Sequence, residues 1–400
     1  MRSIQTNPNF TRRALLLGMV GTAVQLTGCG GGGSDVAGLS SGGTGSFTSG
    51  TISGLGSIIV NGIRYNDDTA TLLSRDDGTS FGDTLKVGMV VSIQGSPVTA
   101  ATTTNGTATA TAYRISCGSE WQGPVANVST SSFDMLGLTV DVLASTVFEG
   151  VVTQLTALTT THFVEVHGYV DQTTGHLQAT RVEVSTTQPT HYKLSGVVNS
   201  FSAVNHTFKL GTTSQSSSVI SWDNNTAAQS PWSDGVFVRV KMTPLLLATQ
   251  IRLLTSPLAQ LNAEDEHDAE IHGFISAFVS IANFTVNGIP VDASNARIAG
   301  GTLALGVRVE IHGAVSNGVL VATKVETPNN TDVASHAFEF HGTVSALDAT
   351  AHTFVLRGLT FTYDNNTSID TGSLANGARV QIKATRTAGV WKATEVRTDD

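Results

Sequence analysis

The chain of 400 residues carries 22 Lys and Arg against 31 Asp and Glu, a formal net charge of −9, with 13% charged and 40% hydrophobic residues. An acidic balance without basic clusters excludes a nucleic-acid partner, whose affinity comes from neutralising phosphates, and docking on anionic lipid headgroups. The apolar content excludes disorder. In chain order, the first predicted element is an address. Arg2, Arg12 and Arg13 flank or precede an apolar run at 14–26, and no acid occurs before Asp35. That run is shorter than the roughly 20 residues a spanning helix needs, so 1–28 reads as a signal peptide. Thr11-Arg12-Arg13-Ala14-Leu15-Leu16 has the twin arginines of one export route and equally suits an ordinary leader.

Leu26-Thr27-Gly28-Cys29 resembles the lipobox of bacterial lipoproteins, which implies cleavage before Cys29 and diacylglycerol on its sulfur. The predicted partner is therefore a membrane, reached through the lipid on Cys29. Gly30 stands where an Asp is associated with inner-membrane retention, so the expected location is the cell envelope at the outer membrane. Residues 29–47 form the lipidated Cys and a Gly/Ser tether. Cys117 is the one other cysteine, so no internal disulfide is expected.

From there the same pattern recurs five times, at a spacing of 71 to 74 residues. Its anchor falls at Gly88, Thr161, Gly235, Gly306 and Gly377, followed seven residues later by Gly95, Gly168, Met242, Gly313 or Ala384. Each copy closes on a phrase such as Ala322-Thr323-Lys324-Val325 or Ala393-Thr394-Glu395-Val396. In the fourth copy, Phe284-Thr285-Val286-Asn287-Gly288-Ile289 predicts a hairpin around Asn-Gly. Val307-Arg308-Val309-Glu310-Ile311-His312 alternates apolar in and polar out, as a half-buried strand does. Ile58, Phe133 and Phe354 head matching hairpins; the third copy departs, with Phe208 followed by Gly211. About five short strands per copy, without an amphipathic helix, predict an all-β chain. Each copy is read as a small OB-like five-stranded barrel, with a two-sheet sandwich as the alternative. The copies are placed at 48–116, 119–187, 190–257, 266–327 and 335–400, with linkers at 186–190, 256–266 and 327–334.

These motifs resemble a bacterial family, lipoproteins with tandem copies of the domain of unknown function numbered 5666. The resemblance rests on the Val-Asn-Gly hairpin, the Leu-x-x-Gly strand and the closing Ala-Thr-x-Val. It implies a fold and a location, and no activity.

Residues with chemistry are few. His272 and His341 occupy a slot held elsewhere by Ser49, Gln122 and Ser195; His167 and His312 occupy one held by Gln94, Lys241 and Lys383. All are expected to face solvent. His272 and His312, with Glu310, are the lesser candidates for a zinc-like ion; the expectation is no metal and no cofactor. Trp222-Asp223-Asn224-Asn225-Thr226 and Tyr363-Asp364-Asn365-Asn366-Thr367 read as Asx-turns. Trp222 and Trp232 with Asn224 are a candidate glycan platform, whereas Trp121 belongs in a core. The acid run at 264–268 reads as a solvated linker. No catalytic constellation appears. The expected function is a non-enzymatic envelope lipoprotein, its β-domains an array for binding or spacing toward an envelope polysaccharide or protein. A glycan- or metal-binding module on the third or fourth copy is the alternative, and a hydrolase with a site between copies the second alternative.

Overall fold

A computed structural model describes residues 45–76, 78–102, 106–263, 265–328 and 338–399. The leader, Cys29, nearly all of the tether and most of the spacer at 327–334 lie outside the described residues. The described chain is all-β and builds small closed barrels of five strands.

The ring is clearest between Asp268 and Glu326. Asp268–Ser280 pairs antiparallel with Asn283–Val286, which turns back into Ile289–Asp292. That strand runs parallel to Val319–Glu326, which lies antiparallel to Arg308–Ser316. Arg308–Ser316 then returns antiparallel to Asp268–Ser280 and closes the barrel. Asn287 and Gly288 form the connecting turn, both at positive φ (49° and 82°), the left-handed pair that matches strand twist in a two-residue hairpin. The inward side chains Val309, Ile311, Val286, Ile289 and Leu320 are fully buried or nearly so. Each such aliphatic side chain contributes about 1.5–3 kcal/mol on leaving water.

The same ring closes within 46–117, 121–185 and 338–398. Between Tyr192 and Leu253 the middle strands are short, and a single bridge, Ser221↔Leu247, helps to complete the ring. The barrels at 121–185 and 192–253 share one continuous apolar core.

Three expectations are corrected. Ser46 and Phe47, placed in the tether, already belong to the first strand, Ser46–Leu55, and are buried. The stretch 256–266 is not an open linker: Pro257–Leu261 is a short helix whose Leu258 and Leu261, with Ala263, are fully buried in the neighbouring barrel core. Five residues are too few to carry a helical period. Glu266, from the acid run, is buried and accepts a hydrogen bond from Gln94 Nε2 at 3.1 Å.

The barrels also join edge to edge. Ser46–Leu55 pairs parallel with the first strand of another barrel, from Ser46↔Asp268 to Ser49↔Ile271. Further along, its Gly54 and Leu55 pair parallel with Glu339 and Phe340. A third junction pairs Lys193 with Gln122. First strands are thus the shared seams, and separate beads on linkers are not what the chain builds.

Candidate functional site

The outward slots of the strands lie on these seams. His167 and His341 point out of their own barrels but are only 2% and 4% exposed, because another part of the molecule covers them. This corrects the solvent-facing expectation: alternation reports which face leaves a barrel, and a second barrel can cover that face as well as water can. His341 is held between two carboxylates, Nδ1 to Asp399 at 2.7 Å and Nε2 to Glu339 at 2.8 Å. Burial would raise the Glu339 carboxyl, but His341, Thr107 and Gln381 bond to it and hold it below the usual carboxylate range.

His272 and His312 stand on paired strands, in register with Glu310 and Glu270 respectively. His272 Nε2 meets Glu270 Oε1 at 2.9 Å, and its Nδ1 lies 3.9 Å from Glu310; His312 Nδ1 lies 3.8 Å from Glu270. The imidazoles therefore face carboxylates in a cross-strand quartet. Among the described residues, no group of three or more His, Cys, Asp or Glu has the geometry to hold a metal ion.

Trp222 and Trp232 meet edge to face, with ring centroids 5.6 Å apart. Trp222 is also stacked on Phe201 at 6.3 Å and tilted against His206 at 4.4 Å. Asn224 is exposed at the turn tip. The turn is an Asx-turn: Asn225 N donates to Asp223 Oδ1 at 2.8 Å, and Asn366 N donates to Asp364 Oδ1 at 2.9 Å in the sister loop. Trp121 is fully buried, its Nε1 donating to the Ser195 carbonyl at 2.8 Å. Cys117 is buried beside Met89, and burial pushes its thiol up to about 12, which leaves it inert as a nucleophile.

Sequence reasoning missed the densest polar group. Glu120 accepts from Arg75 Nη1 at 2.7 Å, Arg239 Nη2 at 2.6 Å and Ser195 Oγ at 2.6 Å. Arg239 Nη1 and Lys193 Nζ reach Asp76 at 3.0 and 2.9 Å. Burial alone would raise the Glu120 carboxyl; Arg239 and Arg75 outweigh it and hold the group ionised. Three barrels contribute to this cluster, and nothing in local spacing announces it. Beside it lies a cleft of about 270 Å³ lined by Arg75, Asp76, Glu120, Arg239, Phe237 and Tyr169. A second cleft, of about 390 Å³, also borders Tyr169 and is lined by Ile52, Ile59, Leu143, Ser145, Phe338, His272 and Arg308 among others.

Closed rings, shared seams and clefts between barrels define an all-β, multi-barrel protein. The model of the family described as a domain of unknown function, DUF5666, matches residues 47–111, 122–183, 272–326 and 341–397, more than half of the chain, and the chain belongs to that family. The ring at 192–253, in which Phe208 is followed by Gly211 rather than by a glycine four residues on, falls between the matches. No curated protein matches the chain.

Proposed function

We propose that this is a bacterial, non-enzymatic envelope lipoprotein whose five tandem OB-like copies form a binding or spacer head. The lipid on Cys29 holds that head at the outer membrane through the Gly/Ser tether. The observation that carries the binding part is that the barrels are joined through their first strands, so that two ligand-sized clefts form between them. Small-molecule sites favour such interfaces. Closure of the ring at 192–253 favours counting it as a fifth copy. The anchor rests on Leu26-Thr27-Gly28-Cys29 and the tether composition. A glycan platform on Trp222, Trp232 and Asn224 has less support, since Trp222 is already stacked on Phe201 and packed against His206.

The test is metabolic labelling with fatty acid in a bacterial host. The chain should be acylated and fractionate with the outer membrane, and Cys29→Ser should remain an uncleaved, unlabelled precursor. Label persisting on that variant sinks the anchor. Turnover of any ester, peptide or glycoside in a broad panel sinks the non-enzymatic reading.

A further inference from the structure

Arg308 begins its strand beside Phe274, two residues after the anchor glycine. The same slot holds Val90, Phe163 and Phe237 in three sister copies and Arg379 in the fifth, where the guanidinium pairs with Asp399 at 3.4 Å. In the fourth it holds a guanidinium that lines the 390 Å³ cleft. Its Nε is sealed from solvent without a hydrogen-bond partner. Among the described residues, no carboxylate lies within ion-pair distance of it. Glu310 faces His272, and Glu339, which lines the same cleft, accepts from Thr107, His341 and Gln381. A guanidinium without a carboxylate partner is free to take one, and its fork matches the two oxygens of an anionic head.

The remaining wall divides by polarity. Ile52, Ile59, Leu143 and Phe338 supply apolar surface, while Thr51, Ser53 and the Tyr169 hydroxyl supply polar atoms; Thr51 Oγ1 and Tyr169 Oη lie 3.0 Å apart. The volume falls within the roughly 300–1,000 Å³ of ligand sites, and a mainly apolar wall with few convergent polar groups is their usual make-up.

We propose that this cleft binds a small amphiphile with one anionic head, seated on Arg308, and a short acyl body against Ile52, Ile59, Leu143 and Phe338. The proposal deepens the reading of the head as a binding module and rests on it, but it does not depend on the lipid at Cys29. The head is a carboxylate or a sulfate ester, which share the chemistry that Arg308 recognises.

The experiment is calorimetric titration of the full-length chain carrying Cys29→Ser, which removes the acyl acceptor. The probes are decanoate, decyl sulfate and decanol, all below micellar concentration. One or both anions should bind saturably at one site. Arg308→Gln should weaken them at least tenfold and leave any decanol binding unchanged. Ser145→Trp, which fills the cleft from another wall, should abolish all binding, with circular dichroism unchanged in both variants. Absence of saturable anion binding, or equal affinity in Arg308→Gln, overturns the proposal. Such a failure beside intact acylation of the unmodified chain refutes the ligand and leaves the lipoprotein reading standing.

Discussion

The side-chain amide of Asn287 straddles Gly273: Nδ2 donates to the carbonyl before it, on His272, at 3.2 Å, and Oδ1 accepts from the N–H after it, on Phe274, at 3.3 Å. The hairpin turn is thereby fastened across the middle of the first strand. Asn61 repeats the contact over Gly50, donating to the Ser49 carbonyl at 3.3 Å, and Arg357 Nε does so at 2.6 Å to the carbonyl before Gly342. A Cβ at Gly273 or Gly50 would overlap the amide laid across it. The central glycine and the turn residue are two halves of one device.

Gly273→Ala should therefore destabilise the chain by about 1–3 kcal/mol, the usual range for overpacking. Asn287→Gly costs its own hydrogen bonds but should return part of the loss when combined with Gly273→Ala. A double-mutant cycle by urea denaturation measures the coupling. Strict additivity would mean that the two positions do not meet in solution.

The barrel face follows from alternation. Val309 is fully buried, and Val309→Asp should cost at least about 3 kcal/mol by placing a charge without a partner in the core. Arg308→Gln, one residue away on the outer face, should change stability by no more than about 0.5 kcal/mol. Comparable losses at both positions, read from thermal melts, would mean that the face is inverted.

Much of this is legible in the sequence. Asn287-Gly288 announced its turn, and Arg308–Ser316 announced its inward and outward sides through period-two patterning. The Asx-turns at Asp223 and Asp364 followed from side chains that bond their own backbone. What stayed hidden was everything that depends on the contact of one barrel with another. Ser195, His167 and His341 read as ordinary outward residues, because the pattern around them is local while their partners or covers are distant in sequence. Pro257–Leu261 was too short to show a period. Arg308 shares its slot with Arg379, and what sets it apart, the lack of an ion-pair partner among the described residues and a place on a cleft, is a matter of tertiary contact.

Glu120 gives the sharpest test of the seams. Glu120→Ala would leave Arg75 and Arg239 facing one another with one shared counter-charge removed, and breaking one side of a buried ion pair costs about 3–5 kcal/mol. Replacing Arg239 by Met in the same chain should recover part of this, since one uncompensated cation is then gone. Because the cluster ties residues 75–76 to 193–239, calorimetry of Glu120→Ala should also show unfolding that is broader than in the unmodified chain or divided into steps. An unchanged melt would show that the cluster holds nothing together.

His167 sets a pH dependence whose direction can be worked out. Burial lowers its pKa to about 4 from an ordinary 6.5, with Lys193 adding to the effect and Glu183 and Glu120 opposing it. Its Nδ1 is sealed without a hydrogen-bond partner. Above pH 6.5 the imidazole is neutral in both the folded and the unfolded chain, so it contributes no slope. Between 6.5 and about 4 the unfolded chain takes up a proton that the folded one refuses, so stability falls as pH falls, by up to about 3 kcal/mol. Lowered carboxylates such as Glu120 and Asp76 act in the same direction, but only as pH falls through their ordinary values of 4.5 and 3.8, at and below the lower end of this window. His167→Gln, which installs the residue type that Gln94 supplies in the first copy, should remove the loss between pH 6.5 and 5 while leaving the steeper decline at lower pH. Urea midpoints at pH 7.5, 6.0 and 5.0 for the two proteins decide it. Parallel profiles would mean that the imidazole can be protonated in the folded chain and that its cover opens to water.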